Sequence, residues 1–108
     1  MKTDSVIKHF IDNAVPILKK EIHPVKILLF GSRVNGHPSP QSDLDIIIVS
    51  EAFMGIPLPL RMGKVLKMIR FERHVDIICY TPEEFERMKN DSIILSEILP
   101  NAREIVLN

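Results

Sequence analysis

The sequence contains no tryptophan, one tyrosine and one cysteine in 108 residues. A lone thiol, Cys79, excludes an internal disulfide and a thiolate zinc site, and its place in an apolar run marks it as a core side chain rather than a nucleophile. The five phenylalanines are scattered and no basic residues interleave with them, so no stacking platform for nucleic-acid bases is expected. An excess of one charge is also missing. Lys and Arg number 14 and Asp and Glu number 14, which leaves no positive field to hold long nucleic acid and weighs against a template-reading polymerase. No apolar stretch is long enough to cross a bilayer, and the first residues, MKTDSVIKHFIDNAV, place acidic side chains inside their apolar pattern, unlike an export signal. A reducing cytoplasm is the expected compartment. There is no repeat, linker or run of like charges. With 45% apolar and 26% charged residues, the composition is that of one globular domain spanning residues 1–108.

Apolar periodicity then places the elements. Ile7, Phe10, Ile11, Ala14, Val15, Leu18 and Ile22 recur at helical spacing behind the N-cap candidates Thr3 and Asp4. Pro16 is expected to kink or divide this helix, with a bend near Asn13, and Pro24 to end it. Val25 to Phe30, Leu44 to Val49 and Val75 to Tyr80 read as strands. Gly31 to Ser42 is rich in Gly, Pro, Ser and Asn and reads as loop with at most one helical turn. Met54 to Pro59 reads as loop, followed by a helix with Leu60, Val65, Leu66 and Ile69 on its apolar side. Thr81-Pro82-Glu83-Glu84 combines a capping hydroxyl, proline at the first helical position and a carboxylate three residues after the cap. A further helical stretch around Ile93 to Leu99 and a short last strand within Arg103 to Leu107 complete the chain. The order predicts an α/β (α+β) fold, a small sheet flanked by helices, with strand direction left open.

Two devices between the first two strands carry chemistry. At Gly31-Ser32, glycine lets backbone approach a ligand, while free N–H groups and the hydroxyl can donate to phosphate; the same pair also suits a plain turn. Asp43 and Asp45, two residues apart on an extended chain, project to one face, with Leu44 and Ile46 on the other. At a separation of about 5 Å and an effective dielectric of about 20 their repulsion is about 3 kcal/mol. A divalent cation, Mg²⁺ or Mn²⁺, would offset it, although a solvated strand edge closed by Ser42 and Asp43 is the plainer alternative. Asp76, between Val75 and Ile77, brings a third carboxylate. If the two strands are neighbours, the set suits two-metal catalysis, with Asp76 on the side of the attacking hydroxyl. Pairing of Asp76 with Arg73 or His74 at a strand end stays open. His9, His23, His37 and His74 have no metal-ligand spacing, although His74 lies two residues before Asp76.

Gly31-Ser32, Gly36, Ser42-Asp43-Leu44-Asp45 and Val75-Asp76-Ile77 together resemble the signature of the polymerase β-like nucleotidyltransferases, especially their minimal, stand-alone branch of antitoxin type. The similarity runs from Val25 to about Glu86. It implies a small mixed sheet flanked by helices, NTP, with ATP the expected donor, held at Gly31 and Ser32, and two Mg²⁺ ions at Asp43, Asp45 and Asp76. It also implies nucleotide contacts from Arg33 and Ser42, and a HEPN-type helical partner whose toxicity is neutralised by attachment of AMP. Self-association stays open. A catalytically silent partner-binding antitoxin and an NTP-sensing module are the alternative functions that the same residues allow.

Overall fold

The computed structural model describes residues 4–35, 43–71 and 75–107. Its elements run α1 (Ser5–His9), a π-helical turn (Phe10–Ala14), α2 (Val15–Ile22), β1 (Lys26–Phe30), α3 (Ser32–Asn35), β2 (Leu44–Val49) and a 3-10 turn (Glu51–Phe53). After these come α4 (Leu58–Ile69), β3 (Val75–Tyr80), α5 (Pro82–Asp91), α6 (Ile93–Ile98), a second 3-10 turn (Leu99–Asn101) and β4 (Arg103–Glu104).

The four strands form one mixed sheet in the order β3-β2-β1-β4. β1 pairs antiparallel with β2 and with β4, whereas β2 and β3 run parallel, connected through α4. Helices cover both faces, which explains why Ile46-Ile47-Ile48-Val49 is continuously apolar instead of alternating. Ile46 and Ile48 pack with Ile27, Leu29, Ile77 and Cys79 against Phe10, Leu18 and Val65 of the first helices and α4. Ile47 and Val49 pack with Leu28 against Phe85 of α5 and Leu95 of α6.

The irregularity expected near Asn13 is present, and Pro16 interrupts the first helix without ending it. It follows a π-helical turn in which the N–H of Val15 reaches the carbonyl of Phe10, and the wider turn absorbs the missing donor as the helix continues to Ile22. Several expectations needed correction. Val25 lies outside β1 and is exposed. α4 begins at Leu58, inside the expected loop, with Pro57 as its N-cap residue and Pro59 in the first turn, where a missing N–H costs nothing. Its buried stripe is Arg61, Val65 and Ile69, spaced four apart, and Leu60 faces outward. By contrast the capping box at Thr81 and Glu84 forms as the sequence predicts.

Candidate active site

β1 ends at Phe30 and the chain turns at Gly31 with φ +85°, a backbone conformation that side chains disfavour. A Cβ added there would overlap Oδ2 of Asp45 and sit 3.1 Å from its Cγ, so only glycine lets the turn lie against this carboxylate. The N–H of Val34 bonds back to the Gly31 carbonyl at 3.1 Å, closing the turn into the single helical turn α3 that starts at Ser32. Ser32 is exposed beside it.

Asp45 is the second residue of β2 and Asp76 the second of β3, and the parallel register pairs them directly. Leu44 and Ile46, the neighbours of Asp45, are fully buried in the core under the first helices, so Asp45 takes the opposite face. Asp43 is exposed just before β2. Burial, then Asp76 and Asp43, hold the Asp45 carboxyl above its ordinary value. Among the described residues no cation forms an ion pair with any of the three. Nor do three His, Cys, Asp or Glu side chains among those residues make a ready metal cage.

One strand pairing thus sets Asp45 beside Asp76, next to the glycine turn. Arg33, next to Ser32, meets a carboxylate of the N-terminal segment. Its guanidinium Nη1 donates to Oδ2 of Asp4 at 2.9 Å, with only 6% of the arginine side chain exposed. Asp4 also caps α1 by accepting from the N–H groups of Val6 and Ile7. Ser42, Gly36, His37, Arg73 and His74 lie outside the described residues. Cys79 is buried, which pushes its thiol up to about 12 and makes it inert at neutral pH.

The family model described as Polymerase beta, Nucleotidyltransferase matches residues 12–104. The chain belongs to this nucleotidyltransferase family. A crystal structure provisionally described as a nucleotidyltransferase is 27% identical, with TM-score 0.61 over 91% of this chain and 99% of that one. BolA1 from Arabidopsis thaliana is 26% identical, with TM-score 0.54 over 68% of this chain and 92% of its own. The BolA domain of SufE1 from Arabidopsis thaliana is also 26% identical, with TM-score 0.51 over 66% and 90%. No curated protein matches. The BolA similarities cover about two thirds of the nucleotidyltransferase domain and speak for a shared backbone arrangement, whereas activity resides in the site. Among the described residues, no helix is long and apolar enough to cross a membrane.

Sequence reasoning did not find Arg61 or the partner of Arg33. Arg61 is buried in a nominally apolar stripe, and the spacing of Arg61, Val65 and Ile69 was its available signal. The Asp4–Arg33 pair spans 29 positions and leaves no local trace.

Proposed function

We propose that this nucleotidyltransferase domain transfers AMP from ATP to a hydroxyl on a separate protein, a HEPN-type helical partner that it neutralises as an antitoxin in a reducing cytoplasm. The observation that carries the reading is the register that sets Asp45 beside Asp76, with Asp43 and the Gly31 turn at the same spot. Nucleotidyl transfer needs phosphate oxygens held while charge develops on a leaving pyrophosphate.

The donor chemistry suits Mg²⁺, with Mn²⁺ as a substitute: carboxylate oxygens and no soft ligand, in an array too open to cage an ion alone and completed by phosphate oxygens. Asp43, Asp45 and Asp76 would hold two such ions, which supply charge neutralisation on the triphosphate and at the attacking oxygen. Gly31 and Ser32 present backbone N–H groups and a hydroxyl to the phosphates, and Ser42 joins them. Arg33 acts at the same turn. In the transfer, the acceptor oxygen bonds to the α-phosphorus, the bond from that phosphorus to the bridging oxygen breaks, and pyrophosphate departs. The hydroxyl proton passes to a carboxylate oxygen of Asp76. The matched region fills nearly all of these 108 residues, which supports an acceptor supplied from outside them.

Incubation with ATP, Mg²⁺ and the product of the neighbouring gene, followed by intact-mass measurement, tests the proposal. The partner is expected to gain the mass of one or more AMP units, and Asp45→Asn to abolish the gain. An unmodified partner with nucleotide still bound to the domain would favour the sensing alternative instead.

A further inference from the structure

β3 carries Asp76 and is the outermost strand of the sheet. In a parallel pair, residues alternate between presenting both backbone groups to the neighbour and presenting both away from it. The carbonyl of Tyr80 accepts from the N–H of Ser50 at 2.9 Å, so Tyr80 faces β2. Alternation then turns Ile78 and Asp76 inward, and Val75, Ile77 and Cys79 outward. The Cys79 carbonyl bears this out: it accepts from Nη1 of Arg61 at 3.1 Å, away from the sheet. Arg61 thus occupies that end of the edge. Among the described residues, nothing pairs with the outward N–H and C=O groups of Val75 and Ile77 on either side of Asp76. No proline, lysine or bulge interrupts Val75–Tyr80 and its one charge is Asp76; the side chains of Val75 and Ile77 are buried in the core, so what these two residues offer is their outward backbone.

We propose that the free edge of β3 at Val75 and Ile77 receives an extended segment of the acceptor protein as an added strand, which places a Ser, Thr or Tyr hydroxyl beside Asp76. The outward backbone groups call for a polypeptide, since an alternating ladder of donors and acceptors is what another strand supplies. Geometry sets the position of the hydroxyl. With the segment antiparallel, the residue opposite Asp76 is a non-hydrogen-bonded pair, where Cα atoms approach to about 4.5 Å and side chains on one face lie closest. Asp76 is exposed on that face, so its carboxylate is open to the incoming hydroxyl. A second copy of this chain is a poor occupant. The short free edge would force two-fold pairing to centre near Asp76, setting like charges directly opposite each other. The segment is therefore a partner's, free of acidic residues around its hydroxyl.

This inference rests on the proposed transfer to a protein hydroxyl, and the experiment separates the two. The probe is an eight-residue peptide of alternating valine and threonine with a central tyrosine and terminal lysines, added to the ¹⁵N-labelled domain. Amide exchange of Val75 and Ile77 is expected to slow about tenfold or more, while Asp76 and Ile78, already paired with β2, stay unchanged. The same peptide N-methylated along its edge-facing positions is expected to have no effect. Val75→Pro deletes one outward donor at the first strand position, where proline is tolerated, and should abolish the protection that Val75→Ala retains. Adding ATP and Mg²⁺ should place a nucleoside monophosphate on the peptide. Transfer without protection of Val75 and Ile77 overturns the edge docking and leaves the transfer reading standing. Protection without transfer upholds the docking and counts against the transfer reading. With neither protection nor transfer, the edge is not an acceptor site.

Discussion

At one end of β3, Asp76 stands with Asp45 and Asp43 beside the Gly31 turn, and no described cation forms an ion pair with any of the three carboxylates. At the other end Arg61 and Glu84 form a two-point ion pair, with Nη1 to Oε1 at 2.6 Å and Nη2 to Oε2 at 3.1 Å. The arginine also donates to the carbonyls of Ile56 and Cys79, and Glu84 accepts from the N–H of Thr81. One pattern of charge ties α4, β3 and α5 together. The other adds repulsion at Asp45 and, among the described residues, forms no ion pair. Under the proposed function that repulsion is stability given up for metal and phosphate, and the two ends should separate cleanly when mutated.

The largest effect belongs to the acidic end and is on activity. Asp45→Asn is expected to lower nucleotidyl transfer by about 10³-fold or more, since charge stabilisation at the reacting phosphate is lost. Thermal melting should leave its stability equal to or above the parent's, because a half-buried charge facing two like charges is gone. Arg61→Met should do the reverse. Loss of about 3 kcal/mol in urea unfolding is expected from breaking a buried pair and stranding two carbonyls. Transfer per folded molecule should be retained. Gly31→Ala falls between: left-handed φ and the crowding of Asp45 should cost roughly 2 kcal/mol, and transfer should fall with it.

Acid titration gives a further contrast, because the two carboxylates shift in opposite directions. The side-chain hydrogen bond from Arg61 leads the causes that hold Glu84 at about 2, below its ordinary 4.5. Stability contributed by Glu84 is therefore complete above about 4.5 and is lost as pH falls toward 2. Asp45 is raised above 3.8, chiefly by burial and then by Asp76 and Asp43. Its ionisation opposes folding at neutral pH, and that opposition disappears as pH falls through its raised value. Unfolding of the parent, Glu84→Gln and Asp45→Asn across pH 7 to 2.5 should therefore show both differences shrinking with acid, from opposite signs.

Much of this division is legible in the residues. β2 and β3 fall where alternating and continuous apolar runs put them, and Thr81-Pro82-x-Glu84 forms its capping box because all of its parts are local. The carboxylates were recognisable, and their meeting was implied by the family resemblance rather than by local sequence. Direct opposition of Asp45 and Asp76 depends on β2 and β3 being parallel neighbours in register, and local sequence does not encode pairing. Arg61 was missed for a related reason: a charge belongs on a helix's wet face until a distant Glu84 satisfies it, and Leu60 gave the stripe a false starting point. Pro16 had two physical outcomes, a break or a widened turn, and packing of Phe10, Ala14 and Leu18 in one core favours continuity.

The smallest effect tests the border of the acidic end, where Asp4 and Arg33 make the paired exception close to the Gly-Ser turn. Asp4→Asn retains an oxygen to accept from Val6 and Ile7, so the cap of α1 survives while the charge facing Arg33 is lost. A cost of about 1.5 kcal/mol is expected for one lost charge-assisted hydrogen bond on a largely buried arginine, with Asp4→Ala worse by about 1 kcal/mol more for the missing cap. If Arg33 serves chiefly as a strut between α1 and the turn, Arg33→Gln should resemble Asp4→Asn in both stability and KM for ATP, and the double variant should add little. If the arginine instead reaches the nucleotide, Arg33→Gln should raise KM well beyond Asp4→Asn, and the two changes should become additive. That outcome would move Arg33 out of the paired border and into the acidic end itself, as the cation that answers phosphate rather than carboxylate.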